Sequence, residues 1–267
     1  MKNYYRMRNS KPHIFLRNDD VRGKLDPQLI SLTELCIELD VPLSHAVEPA
    51  NVSLEVADWL LDIKNKHPML IEIIQHGFDH NYKNPRVKME FGGTRNYDDQ
   101  LISIKEGKNI MDDLFGDKWS PVFTFPYGSY NYHTLKAVND AGYKAISSKI
   151  NFSTKHRIKN TIGRAIGADF IFDKKISYHD NKRPHFNFLE LSVSANVIKK
   201  YTGTNTAQHY NKEEILNQIY TASKYTKNIG LLFHHRFHSN ELGMFRELII
   251  QLKQKGYFFS TIMNLMR

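Results

Sequence analysis

The sequence predicts one parallel α/β domain, open or barrel-shaped. Three observations carry this reading. Short β-type runs and helical periods alternate about seven times with short spacers, the pattern of βα units on a parallel sheet. At 267 residues, 41% hydrophobic and 24% charged, the chain has globular composition and can bury a full core. No internal repeat or linker divides it, so residues 1–267 read as a single domain.

The elements follow in order. His13 to Arg17 is a short β run that stops at Asn18-Asp19-Asp20. Asp26-Pro27 opens a helix, since Asp caps and Pro is tolerated at the first helical position. Leu29, Leu32, Leu35, Cys36 and Leu39 continue it at helical spacing. Pro42 to Val47 is the second strand, and Val56, Trp59, Leu60 and Ile63 mark the next helix. Met69 to Ile74 is the third strand, followed at once by Gln75-His76-Gly77. A polar stretch from 77 to about 98 reads as a long functional loop. Leu101, Ile104, Met111 and Leu114 give a helix; Pro121 to Phe125 is a strand broken at Pro126-Tyr127-Gly128. Leu135, Val138 and Ala141 mark a helix, and Tyr143 to Ser147 a strand. Residues 150–187 read as an irregular basic insertion, followed by a strand at Phe188 to Val193. Ile215, Ile219, Ala222 and Tyr225 form a helix whose Glu213-Glu214 suit the N-terminal dipole. Ile229 to Phe233 is a strand ending in His234-His235. Leu242, Phe245, Leu248, Ile249 and Leu252 give the last long helix, and Tyr257 to Phe259 the final strand.

Several classes are excluded. A single cysteine, Cys36, rules out a disulfide framework and a thiolate zinc site. No apolar run approaches a membrane span. The N-terminus MKNYYRMRNSKPHIF is basic but has no apolar h-region, so the expected location is the cytoplasm. The net charge of +9 suggests an acidic partner. It is concentrated: Lys155, Arg157, Lys159, Arg164, Lys174, Lys175, Lys182, Arg183, Lys199 and Lys200 face only Asp169, Asp173, Asp180 and Glu190 within 150–200. No helix-turn-helix, zinc finger or RNA-binding signature supports nucleic acid. The oligomeric state is left open.

Reactive polar residues sit just past the ends of separate strands, where α/β barrels gather catalytic groups. Asp19 and Asp20 are neighbours that point differently, so one can bind a metal while the other acts as a base. His76 and His80 share a face if their segment is helical, and with a carboxylate they suit zinc or a similar divalent ion. His234, with His235 and His238 as further candidates, offers a general acid or base.

These pieces, in this order, resemble the polysaccharide deacetylase family (NodB-homology, carbohydrate esterase family 4). Its T-F-D-D, H-[ST]-x-x-H, R-x-P-[YFW] and L-x-H motifs correspond to Arg17-Asn18-Asp19-Asp20, His76-Gly77-Phe78-Asp79-His80, Thr124-Phe125-Pro126-Tyr127 and Leu232-Phe233-His234. The resemblance spans about 13 to 260. It implies a distorted (β/α)7-type barrel and a divalent metal, most simply Zn, with Co or another ion able to replace it. It further implies Asp20, His76 and His80 as metal ligands and Asp19 as catalytic base. The Tyr127 backbone N–H becomes an oxyanion donor and His234 the catalytic acid.

Three departures mark a divergent branch. Gly77 replaces a bracing Ser/Thr, Thr124 stands where the family has the Arg that orients the base, and D-x-x-D-W is absent. Arg164 is the candidate replacement for that Arg. The expected activity is metal-dependent removal of an N-acyl group from an amino sugar, in surface polysaccharide or glycoconjugate biosynthesis. The substrate is expected to be diphosphate-linked, with the basic segment pairing its oxygens. The rival reading is a catalytically decayed carbohydrate-binding protein on the same fold.

Overall fold

The computed structural model describes residues 12–83, 88–204, 206–238 and 240–266. Most of the N-terminal stretch read above, residues 1–11, lies outside them. Seven helices are described: α1 (Pro27–Glu38), α2 (Leu54–Lys66), α3 (Tyr97–Phe115), α4 (Tyr132–Asp140), α5 (Thr154–Ala165), α6 (Lys212–Ser223) and α7 (Leu242–Gln254). The main strands are β1 (His13–Gly23), β2 (Leu43–Val52), β3 (Ile71–His76), β4 (Trp119–Thr124) and β5 (Ala145–Ser147). Short strands follow: β6 (Phe170–Ile171), β7 (Lys174–Lys175), β8 (Asn181–Lys182), β9 (Leu189–Glu190), β10 (Val193–Asn196), β11 (Ile198–Tyr201) and β12 (Ala207–His209). β13 (Asn228–Phe233) and β14 (Phe258–Phe259) complete the set. No described helix is long and apolar enough to cross a membrane.

The central sheet runs β10-β13-β1-β2-β3-β4-β5-β9-β8, with β14 on β1. Every pair from β13 through β9 is parallel. The run 189–196 links the two ends of this path. Leu189, Leu191 and Val193 N–H donate to the carbonyls of Lys144, Ile146 and Ser148 beside β5, at 3.0, 2.9 and 2.9 Å. Val193, Ala195 and Asn196 then pair with β13. Residues Leu191 and Ser192 separate β9 from β10, and the two strands do not pair with each other.

Side-chain alternation builds two layers. Phe15, Ala46, Ile74, Val122, Ala145, Leu191, Val193 and Leu232 form one buried cluster drawn from all the parallel strands, the barrel interior. Ile14 and Leu16, on the other face of β1, pack with Leu32 and Leu35 of α1, Ile215 and Ile219 of α6, and Phe245 and Leu248 of α7. Each fully buried side chain of this size contributes roughly 1.5–3 kcal/mol. Phe15, Arg17 and Asp19 share one face of β1, so the two charged side chains enter the barrel above the apolar floor. At the opposite end the buried Glu72 carboxylate accepts the N–H groups of Ile262 and Met263, both at 2.9 Å, and anchors the C-terminal segment.

Two expectations about local structure need correction. Residues 150–187 are not simply irregular: they hold α5, the β6–β7 hairpin and β8. His76 and His80 do not share a helical face. His76 ends β3, and His80 follows in a loop.

Candidate metal centre and active site

Asp20, His76 and His80 converge. Asp20 Oδ1 lies 3.3 Å from Nε2 of His76 and 3.3 Å from Nε2 of His80, and one donor atom from each lies within 4.8 Å of the others. Donors bound to one ion at about 2.1 Å in tetrahedral geometry stand roughly 3.4 Å apart, so both Asp20–His spacings match those around a zinc-type ion.

Hydrogen bonds fix which ring nitrogens are bare. The Thr124 hydroxyl donates to the Gln75 carbonyl at 3.0 Å, so it accepts from Nδ1–H of His76 at 2.6 Å. The Tyr127 hydroxyl donates to the His80 carbonyl at 2.7 Å, so it accepts from Nδ1–H of His80 at 2.7 Å. Both imidazoles therefore turn an unprotonated Nε2 toward Asp20, the outer support that metal-ligating histidines need. Burial opposes ionisation of Asp20, but its place among His76, His80 and His234 holds its pKa well below the usual carboxylate range. Asp20, His80 and Tyr127 all have positive φ, 64°, 55° and 58°, the strain that functional sites retain when surrounding structure enforces it.

Asp19 sits beside this cluster in a bidentate grip. Arg17 Nε lies 2.8 Å from Oδ1 of Asp19, and its Nη2 donates to Oδ2 at 2.8 Å. Nη1 of Arg17 is held in turn by the Ser147 carbonyl at 2.7 Å and hydroxyl at 2.9 Å. Burial would raise the Asp19 pKa, but Arg17, His76 and His234 together hold it below the ordinary value. Arg17 thus takes the place assigned to Arg164, whose Nε donates to Asn160 O one turn back in α5. The signal was present: two residues apart on a strand, Arg17 and Asp19 must share a face.

The departure at Gly77 is also compensated. Thr124 orients His76. The Glu90 carboxylate accepts the N–H groups of Phe78, Asp79 and His80 at 2.7, 3.1 and 3.1 Å, bracing the loop that lost its hydroxyl. A Cβ at Gly77 would lie 2.5 Å from Glu90 Oε2 and 2.4 Å from Pro126 Cγ. Gly77 has φ +58°, which glycine adopts at no cost. Glycine here and Glu90 therefore act as a pair. Glu90 lies in the polar loop with no motif around it, so nothing in the sequence singles it out.

Of the three candidate acids, His234 alone faces the site. Its pKa is pushed down by burial and drawn up by Asp20 and Asp19. The Tyr201 hydroxyl lies 3.3 Å from its Nε2. His235 is wholly buried; its backbone N–H donates to Asn18 Oδ1 at 2.9 Å, and its Nε2 lies 3.3 Å from Asp26, the cap of α1. His238 is engaged at both nitrogens: Nε2 accepts the His234 N–H at 3.2 Å and Nδ1 lies 3.0 Å from His209 Nε2. It thereby braces the turn that carries His234.

The class defined by this fold and site is reached by comparison. Residues 63–146 match the family model for polysaccharide deacetylases, so the resemblance read from the motifs holds. The fold matches a Mycobacterium smegmatis protein described as a polysaccharide deacetylase at 12% identity and TM-score 0.65, covering 97% of this chain and 90% of that one. It matches the Bc1960 peptidoglycan N-acetylglucosamine deacetylase at 15% identity and TM-score 0.59, over 96% and 88% of the two chains. It also matches a family 4 acetyl xylan esterase from Clostridium thermocellum bound to cobalt, at 11% identity and TM-score 0.57, over 94% and 89%. No curated protein matches the sequence.

The Arg17 grip makes a prediction. Arg17→Lys keeps the charge but loses the planar fork. It is expected to lower kcat by as much as ~10²-fold through misplacement of Asp19, with unchanged zinc content by elemental analysis.

Proposed function

We propose that the protein is a metal-dependent hydrolase that removes an N-acyl group, most simply acetyl, from an amino sugar in surface polysaccharide or glycoconjugate biosynthesis. The observation that carries this reading is the convergence of Asp20, His76 and His80, both imidazoles presenting a bare Nε2, beside an Asp19 locked by Arg17. A zinc-type ion held by those three residues supplies Lewis acidity toward water and the acyl carbonyl. Asp19, kept ionised, accepts the proton of the attacking water. The Tyr127 N–H offers a donor to the developing oxyanion. His234 gives a proton to the leaving amine, which cannot depart unprotonated.

The acid faces the leaving group, so the sugar lies on the His234 side. A groove of about 750 Å³ with Tyr210, Asn151, Asn217 and Gln218 among its walls shares Tyr201 with the surroundings of His234. Rings and amides of this kind suit sugar faces and hydroxyls. The decayed-binding-protein reading is disfavoured because the lost Arg and the lost Ser/Thr each have a substitute at the site, Arg17 and Glu90. The diphosphate expectation rests on fewer cations than the sequence offers. Arg183 is buried against Asp169 and Glu190, Lys199 pairs with Glu214, and Arg157 caps Tyr225. Lys159, Arg164 and Lys175 donate to backbone carbonyls.

Product analysis on N-acetylglucosamine oligomers tests the proposal. The zinc-loaded protein is expected to release acetate and free amine in equal amounts. Release of acetate from O-acetylated xylan but not from these amides would replace it with an esterase reading.

A further inference from the structure

Helix α5 is inverted relative to the other helices. It buries Asn160 and Gly163, and a Cβ at Gly163 would meet Ile176 at 2.5 Å, so the inward face is kept thin for close packing on the hairpin that follows. The apolar stripe points outward: Ile158 is 56% exposed, Ile162 53% and Ile166 68%. These positions are four apart and lie on one face. Directly after the helix, the tip of the β6–β7 hairpin carries Phe172, 94% exposed. Isolated exposed apolar residues need no explanation, but an aligned stripe beside an exposed aromatic tip does.

The charge around this face is one-sided. Lys155 lies exposed on the same side of α5 as the isoleucines, and Lys174 is exposed on the hairpin. Within 154–175 the acids are Asp169, paired with Arg183, and Asp173, exposed at the hairpin tip, against six Lys and Arg. An exposed apolar stripe flanked by lysines is the pattern of a helix lying in a membrane interface, where anionic headgroups attract the cations. A second copy of this chain would bring like charges together. The face also adjoins the active-site rim: Lys175 of the hairpin donates to the Gly128 carbonyl, next to Tyr127.

We propose that α5 and the β6–β7 tip dock the protein on an anionic membrane surface, with Ile158, Ile162, Ile166 and Phe172 entering the interface and Lys155 and Lys174 meeting headgroups. This would present the catalytic rim to substrate held at the membrane, and it stands independently of the activity proposed above.

The test is co-sedimentation of the full chain with vesicles of phosphatidylcholine alone or mixed 3:1 with phosphatidylglycerol. Wild type is expected to bind the anionic vesicles at least tenfold more strongly than the neutral ones, with binding falling as salt rises from 0.05 to 0.5 M. Ile162→Asp is expected to lower that binding by roughly tenfold or more. Its far-UV circular dichroism and melting should be unchanged, because the side chain is exposed. Ile162→Ser serves as a milder variant with the same direction of effect. Equal binding by wild type and both variants, or no preference for anionic vesicles, overturns the proposal. So does self-association in sedimentation that Ile162→Asp abolishes while vesicle binding is absent.

Discussion

Asp19→Asn is expected to lower kcat by ~10²–10⁴-fold, the usual range for removing a general base, without changing how much zinc the protein takes up from solution. The amide keeps the size of the carboxylate and can stay near Arg17, but it cannot accept a proton. Asp19 does not belong to the donor set formed by Asp20, His76 and His80, so metal content separates this substitution from loss of the centre. His234→Ala is expected to reduce turnover through the other proton transfer, again with zinc uptake unchanged. Its neighbours cannot replace it, since His235 and His238 are engaged in holding the turn. Wild-type activity in either variant would remove that residue from the mechanism.

His76→Ala and His80→Ala are expected to lose both bound zinc and turnover. Each removes one of three donors that already stand at ligand spacing, 3.3 Å from Asp20 Oδ1. A graded version comes from Thr124→Val, which removes the acceptor for His76 Nδ1–H and keeps the shape of the side chain. Loss of such an outer partner typically costs 10–100-fold in metal affinity or activity. Zinc titration followed by competition with a chromogenic chelator reads all three variants. Unchanged affinity in His76→Ala would show that these residues do not form the centre.

The fold was largely legible because the parallel strands alternate with helices whose apolar residues face the barrel. The helix of residues 27–38 shows why: Asp26 caps it through the Leu29 N–H, Pro27 starts it, and Leu29, Leu32, Leu35 and Cys36 are buried. α5 escaped the same reading although Ile158, Ile162 and Ile166 keep helical spacing. Its buried face is Asn160 and Gly163, which carry no hydrophobic signal, and its apolar face meets no core. The β11–β12 hairpin escaped too, because it is short and only Ile198 and Ala207 of it reach the core. At the site, residue types near strand ends marked Asp19, Asp20, His76, His80 and His234. What they lacked was orientation. The Arg17 grip follows from period-two geometry within one strand, whereas the Thr124–His76 contact joins residues 48 apart in sequence, and Glu90 reaches back across a loop.

The most direct test counts acetate and free amine released from N-acetylglucosamine oligomers while metal-free protein is titrated with Zn²⁺. The account predicts no release without metal, then equal amounts of both products at a rate that rises to one zinc per chain and levels off. Full activity in the metal-free protein, or no release of either product with one zinc bound per chain, would contradict it.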